Sequence, residues 1–181
     1  MYPAGHIVAA TGVAWGAEHV ARRLFPRRPN APNERRQASA GSLFDYRLVA
    51  LGAWLPDIID KPLGWWILED GAFEHSIAHS ILFVWLLMLP GLVFAWRGDR
   101  RLLSLAFGDA MHVLCDPVMR APEVFFWPLY GWSFDVRLGY AIEIPFDLLR
   151  WDPAFAAFAA VVLLRLWHRD RLRGLVLFGR L

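Results

Sequence analysis

Two stretches decide how this chain is interpreted: His75-Ser-Ile-Ala-His79 and Asp109-Ala-Met-His112-Val-Leu-Cys-Asp116. Each places side chains that commonly bind metals four residues apart within an apolar sequence. Residues at i and i+4 lie on one face of a helix, so His75 and His79 are expected to point the same way, as are His112 and Asp116. Such polar groups in apolar surroundings are costly unless they are paired or bind something. The two stretches therefore predict one shared site between two helices.

The composition limits the class of protein. The chain has 181 residues, 57% of them hydrophobic, with 10 Trp, which is too apolar for a disordered chain. The lone Cys115 excludes an intramolecular disulfide and a cysteine-based zinc motif. No cleavable signal peptide is expected, because no basic segment precedes the first apolar run. We expect a single helical domain over residues 1–181.

Five apolar segments follow one another along the chain, at residues 4–21, 46–60, 75–96, 102–116 and 154–167. The third is the strongest, since Ile77 to Trp96 carries no charge and approaches the roughly twenty apolar residues of a bilayer span. Gly12 and Gly16 form a pair of small residues that would allow close packing of the first helix. The prediction is an all-α membrane bundle of about five hydrophobic helices. Several segments are short for a span, so a peripheral or soluble helical bundle is the alternative.

The arginines are distributed unevenly between the segments. If the five segments alternate across a membrane, seven arginines in 22–47, three in 97–101 and five in 165–181 share one side, against four basic residues on the other. The excess of arginine marks the cytoplasmic side. We therefore expect a multi-pass protein of a bacterial inner membrane. Because topology explains the arginines, no direct binding of nucleic acid is expected.

The same topology brings the candidate ligands of four segments to the extracytoplasmic face. The expected metal ligands are His6, Asp57, His75, His79, His112 and Asp116. Imidazole and carboxylate groups suit Zn²⁺ and also Mn²⁺ or Fe²⁺, and this set is large enough for one or two ions. A metal site of this kind activates water for displacement at a phosphoester. Asp60 and Asp109 are the candidates for the catalytic general base.

Simpler interpretations exist for each group. His6 alone could be an interface residue, and Asp57 could cap the helix that follows Pro56. The two His pairs could form ordinary structural hydrogen bonds. A non-enzymatic membrane protein that binds metal, or a scaffold with a stabilising metal, is the alternative to a hydrolase.

The C-terminal part of the chain carries fewer candidate ligands. The aromatic loop 123–134 is expected at the membrane interface, as a belt of Trp and Tyr or as a wall over the site. Residues 137–150 could form an interfacial amphipathic helix. We expect the core motifs within 1–135, and an interfacial segment, the last hydrophobic helix and a basic tail within 136–181.

The ordered motifs resemble a known family. Gly5-His6, Gly52 with Leu55-Pro56-Asp57-Ile58-Ile59-Asp60, His75 to Ser80 and Gly108 to Asp116 look like the YdjM-type membrane-bound metal-dependent hydrolases, some of which are labelled LexA-binding. The pattern is more distantly similar to zinc-dependent phospholipase C and the S1/P1 nucleases. The resemblance implies a phosphoester substrate, and membrane placement suggests a phospholipid or other lipid.

Overall fold

The computed structural model of the chain describes residues 3–24, 42–66, 75–116, 118, 121–132 and 171–180. Every regular element in these ranges is helical, which confirms the all-α prediction. The α-helices are α1 (Pro3–Leu24), α2 (Tyr46–Gly52), α3 (Leu55–Trp66), α4 (Ile81–Trp96), α5 (Arg101–Cys115), α6 (Pro122–Phe125) and α7 (Arg171–Phe178). A 3₁₀-helix spans Ile77–His79.

The second apolar segment, 46–60, forms two helices instead of one. Asp45 caps α2 by accepting a hydrogen bond from the Arg47 amide. The chain then turns at Ala53 and Trp54, and Pro56 lies in the first turn of α3. Proline is well tolerated there because the amides of a first turn have no helical acceptor. This break turns α3 away from α2 and places Asp57 and Asp60 beside the other candidate ligands.

His75 and His79 do not lie on one α-helical face, so this part of the prediction is wrong. Residues 75 and 76 form a bend, the 3₁₀-helix follows, and α4 begins only at Ile81. The Ser80 side chain caps α4 by accepting from the Phe83 amide. The amides of residues 76, 78 and 79 instead donate to the Asp60 carboxylate. The turn is therefore held from outside by α3, and local helix periodicity does not apply to it.

Helix α5 lies at the centre of the bundle, in contact with α1, α2, α3 and α4. Two glycines let α2 and α5 approach closely. A Cβ on Gly52 would collide with the Leu105 carbonyl oxygen, and one on Gly108 with the Val49 carbonyl oxygen. In contrast, a Cβ on Gly12 or on Gly16 would meet no atom within 4 Å. Gly52 and Gly108 therefore allow the close helix approach, and Gly12 and Gly16 do not take part in it.

The bundle has two chemically distinct ends. Near the start of α5, the Ser104 hydroxyl accepts a hydrogen bond from the Asp45 amide at the start of α2. Near the end of α5, His112 bonds to the Ala53 carbonyl at the end of α2. Helices α2 and α5 therefore run in the same direction. Helices α1 and α4 run the opposite way. The N-terminus of α1, the 3₁₀-helix and the C-terminus of α5 therefore meet at one end. The arginines at the end of α1 and around the start of α5 lie at the other.

A buried carboxylate ties α1 to α2 at the arginine-bearing end. Glu18 accepts hydrogen bonds from Ser42 Oγ at 2.6 Å and Tyr46 Oη at 2.9 Å, and it pairs with Arg22. Burial raises the pKa of Glu18, but these three donors outweigh it and lower the pKa below its usual value. Both carboxylate oxygens of Glu18 accept hydrogen bonds, so we assign this cluster a structural role.

Several sequence predictions concern other parts of the chain. Within the described ranges, no helix combines the length and apolar character needed to cross a bilayer. The fifth apolar segment, 154–167, and the proposed interfacial helix, 137–150, lie outside the described residues. The basic tail contains α7, whose end is held against α2 by a hydrogen bond from the Tyr46 amide to the Gly179 carbonyl oxygen at 3.0 Å. In the aromatic loop, residues 122–125 form the short helix α6.

Candidate metal centre

The Asp60 carboxylate fixes the orientation of His79. Its oxygens accept hydrogen bonds from the amides of Ser76, Ala78 and His79 at 2.7 to 3.2 Å, and from His79 Nδ1 at 2.7 Å. Burial raises the pKa of Asp60, but the bond from His79 and the amides outweigh it, so the pKa lies below its usual value. Asp60 is therefore ionised, and an ionised carboxylate only accepts hydrogen bonds. In its neutral form, the one that can bind a metal ion, His79 carries its proton on Nδ1 and presents the lone pair of Nε2.

His112 is held in the same way by a backbone group. Its Nδ1 lies 2.7 Å from the carbonyl oxygen of Ala53, at the turn between α2 and α3. A carbonyl oxygen only accepts, so Nδ1 carries the proton and Nε2 carries the lone pair. Burial, and then the proximity of His79, lowers the pKa of His112 to about 4. The ring is neutral at physiological pH and available as a ligand.

The two free nitrogens face each other. His79 Nε2 and His112 Nε2 are 3.1 Å apart, and both side chains are fully buried. With both rings neutral, two lone pairs face each other at that distance, and they repel unless a cation lies between or beside them. On a tetrahedral zinc with Zn–N bonds of about 2.0 Å, two ligand nitrogens are about 3.3 Å apart. The spacing thus fits two imidazoles that share one metal ion.

Carboxylates and two further histidines complete the surroundings of this pair. Three overlapping groups have ligand atoms within 4.8 Å of one another: His6 with His112 and Asp116, Asp57 with His79 and His112, and His75 with His79 and Asp116. Together they contain the six residues that the sequence predicts as metal ligands. The structure therefore brings all six into one cluster able to hold a metal ion. Their direct ligation stays a prediction.

His6 is the least satisfied member of the cluster. Both of its ring nitrogens are buried and have no hydrogen-bond partner among the described residues. Its ring stacks on His112 with a centroid separation of 3.8 Å, and Nε2 lies 4.0 Å from Asp116 Oδ2. Burial, and then the neighbouring His112, lowers the pKa of His6 to about 3. An unpaired buried polar group costs about 1–3 kcal/mol, and a bound cation would remove this cost.

Asp116 joins the histidines across the cluster. It caps α5 in an extended conformation, and its Oδ2 lies 3.3 Å from His75 Nε2 and 3.6 Å from His112 Nε2. Burial opposes ionisation of Asp116, but its hydrogen bond with His75 and the nearby charges hold the pKa well below the usual range. Asp116 is therefore an anion inside a buried cluster, as a metal ligand has to be.

Asp57 supplies the second anionic group on the other side of His79. Its Oδ1 lies 3.9 Å from His79 Nε2, and its Oδ2 lies 3.2 Å from Lys61 Nζ. Lys61 follows Asp57 by one turn of α3 and is partly exposed. The lysine therefore neutralises one oxygen and leaves the other directed toward the histidines.

Asp109 stands apart from the three groups. It lies one turn before His112 on α5 and is fully buried, and neither carboxylate oxygen has a hydrogen-bond partner among the described residues. Burial, and then the negative charge of Asp60, raises its pKa to about 8. Asp109 is therefore largely protonated at neutral pH, so it could donate a proton. The catalytic roles predicted for Asp60 and Asp109 stay predictions, and the hydrogen bonds of Asp60 identify it as the group that positions His79.

Sequence reasoning missed three contributors. These are the Ala53 carbonyl, the amides of residues 76, 78 and 79, and the Lys61 ammonium. The i, i+4 spacing of Asp57 and Lys61 on a predicted helix was a usable signal for the lysine. No pattern of side chains could have indicated the backbone groups, because their position depends on the break between α2 and α3.

Comparison with known proteins gives one match. A family model described as YdjM inner membrane protein matches residues 1–179. No curated protein and no solved structure matches the chain. The match covers nearly the whole sequence, including all six clustered residues.

Proposed function

Since the chain belongs to the YdjM inner membrane protein family, we propose that it is a membrane-bound metal-dependent hydrolase that cleaves a phosphoester. The observation that carries this proposal is the 3.1 Å contact between His79 Nε2 and His112 Nε2. When both rings are neutral, neither nitrogen can donate to the other, because each ring has its proton on Nδ1. A shared divalent cation would remove that repulsion and would also give one of the two unpartnered ring nitrogens of His6 a partner.

The donor set supports zinc, with one or two ions. Imidazole nitrogens and carboxylate oxygens are typical zinc ligands, and Mn²⁺ or Fe²⁺ is compatible with the same atoms. The six clustered residues supply enough ligand atoms for two neighbouring ions, and the carboxylate of Asp116, which belongs to two of the three ligand groups, is the candidate for a shared ligand. A divalent ion held there would act as a Lewis acid and activate water for attack on phosphorus.

The protein's own groups divide the remaining work. Asp60 keeps the His79 ring in one tautomer and orientation, as acceptors behind metal-binding histidines do. Asp109 holds a proton in a dry environment and is our candidate for proton transfer with the substrate. The His75 side chain is 13% exposed, more than the other five clustered residues. We therefore propose that substrate approaches from the side of His75.

The charge distribution supports an orientation at the inner membrane. The described arginines at the end of α1 and between α4 and α5 lie at the opposite end of the bundle from the metal residues. The positive-inside rule directs that end to the cytoplasm. We propose that the metal centre faces away from the cytoplasm and that the substrate is lipid-like.

A structural metal is the second candidate, and the burial of the cluster favours it. His6, His79 and His112 are fully buried, as closed structural sites require. A closed site would bind metal tightly but leave no position for substrate.

One experiment separates the two candidates. The detergent-purified protein is analysed for transition metals and assayed on a phosphodiester and on phospholipids, alongside His112→Ala and the control His19→Ala. His19 is exposed on α1 and stacks on Trp15, away from the cluster. A hydrolase requires metal and turnover in the wild type and the control, with loss of both in His112→Ala. Metal without turnover supports the structural candidate, and absence of metal from the wild type refutes both.

A further inference from the structure

A second feature lies at the arginine-bearing end of the bundle, remote from the metal centre. A cleft of about 560 Å³ opens between the start of α2, the turn between α4 and α5, and the end of α7. Its volume lies within the range of small-molecule sites. Arg101, at its edge, precedes His112 by eleven residues of α5, which corresponds to about 16 Å along the helix. The cleft is therefore a separate site.

The charges in the cleft favour an anion. Four arginines and two aspartates line it, namely Arg47, Arg100, Arg101, Arg180, Asp45 and Asp99. Arg47 is engaged with Asp45 and with the carbonyl oxygens of Val176 and Leu177, so it holds α7 in place. The guanidinium groups of Arg100, Arg101 and Arg180 have no hydrogen-bond or ion-pair partner among the described residues. Of the two aspartates in the cleft, Asp45 is bound by Arg47 and Asp99 is not.

The remaining lining of the cleft is apolar. Apart from Ser42 and Gly98, it consists of Leu43, Phe44, Leu48, Leu177 and Phe178. Apolar side chains beside unpaired guanidinium groups suit a ligand with an anionic head and a hydrocarbon part. Guanidinium binds phosphate oxygens in bidentate fashion, which favours a phosphate as the head.

Helix α4 leads directly into this cleft. Much of its surface is exposed and apolar, through Leu82, Trp85, Leu86, Leu89, Leu92, Val93 and Phe94. Trp96 is 92% exposed at its end, and the arginine-bearing turn follows at once. This order of apolar face, Trp and Arg matches the order of acyl chain, interface and phosphate in a lipid leaflet. The chain belongs to a family of inner membrane proteins, and lipid is the natural surrounding of such a protein.

From these observations we propose that the cleft binds the phosphate headgroup of an anionic phospholipid, whose acyl chains lie along the exposed face of α4. The site is distinct from the metal centre, and the proposal does not depend on hydrolase activity. It assigns Arg100, Arg101 and Arg180 to the headgroup and α4 to the chains.

The test measures retention of phosphatidylglycerol and phosphatidylcholine by the full-length protein in uncharged detergent, with native mass spectrometry across a lipid titration. The cleft variant is Arg100→Gln/Arg180→Gln. The matched control, Arg23→Gln/Arg97→Gln, removes the same charge from exposed arginines that do not line the cleft. We expect the wild type and control to prefer phosphatidylglycerol, and the cleft variant to bind it roughly 10- to 30-fold more weakly.

Other outcomes decide against the proposal. Equal weakening in both double variants would mean that diffuse charge, and not the cleft, attracts the lipid. No preference for phosphatidylglycerol, or no effect of either variant, refutes the site. Displacement of the lipid by equimolar inorganic phosphate would assign the cleft to free phosphate. Arg100→Lys/Arg180→Lys keeps the charge and is expected to retain most binding, and circular dichroism checks that each variant is folded; if the Gln double variant is not, Arg100→Gln alone replaces it.

Discussion

His79 Nε2 and His112 Nε2 lie 3.1 Å apart, although the two residues are separated by 33 positions in the chain. Their protons are fixed on the opposite ring nitrogens by the Asp60 carboxylate and the Ala53 carbonyl. The bundle thus holds two candidate ligands whose neutral rings would repel each other, and a bound cation would convert this repulsion into attraction.

Removal of the metal is expected to destabilise the protein. Chelation leaves the His79–His112 repulsion and the buried nitrogens of His6 uncompensated. A metal present at about 100 times its dissociation constant stabilises the fold by about 2.7 kcal/mol. Thermal unfolding with and without chelator measures this, and added Zn²⁺ should restore the original midpoint. The prediction is wrong if the chelator is shown to remove the metal but the unfolding midpoint stays the same, and if added Zn²⁺ does not change it either.

Asp60→Asn is expected to weaken metal binding by about 10- to 100-fold, because the His79 ring loses the anionic acceptor that fixes its tautomer. Competition with a chromophoric chelator measures the affinity. Asp99→Asn, in the exposed turn before α5, is the matched control and should bind metal as the wild type does. Unfolding of the metal-free forms is measured in parallel. If Asp60→Asn lowers the stability of the metal-free protein but leaves its metal affinity unchanged, the role of Asp60 is only to hold the 76–79 turn.

The sequence was sufficient to predict that these histidines and carboxylates converge, but not the backbone that carries them. Apolar segments separated by polar stretches predicted helices, and the alternation of those segments placed His6 and His112 at one end. The i, i+4 argument failed for His75 and His79, because three amides there bond to a carboxylate fifteen or more residues away instead of to a helical carbonyl. Tertiary hydrogen bonds of this kind leave no periodic signal. The Nε2–Nε2 contact likewise depends on side-chain orientations that spacing does not determine.

Gly108→Ala is expected to destabilise the bundle, because the added methyl would meet the Val49 carbonyl oxygen and the Ala53 amide. Overpacking costs about 1–3 kcal/mol, and here the obstacle is backbone, which cannot rotate away. Gly12→Ala, on α1, is the control with the opposite sign. Its methyl meets no atom within 4 Å, so the gain in helix propensity should stabilise the fold by up to about 1 kcal/mol. Chemical denaturation of both variants measures the difference, and equal effects would refute close packing of α2 against α5.

Asp109→Asn tests the buried carboxyl through its pH dependence. Below about pH 4 this carboxyl is protonated in both the folded and unfolded chains, and it contributes no pH dependence. Between pH 4 and the folded pKa of about 8, the folded protein binds one proton more than the unfolded chain does. Stability from this group therefore falls as the pH rises through that window, by up to about 1.4 kcal/mol per pH unit.

The Asn variant lacks this loss, so its stability relative to the wild type should increase from pH 5 to pH 8 when the metal-free proteins are compared. Asp99→Asn, the same substitution at an exposed carboxylate, is the control. A constant difference between Asp109→Asn and the wild type would mean that Asp109 is ionised in the fold. In that case the carboxylate needs a cation beside it, and Asp109 would join the metal ligands instead of acting as a proton donor.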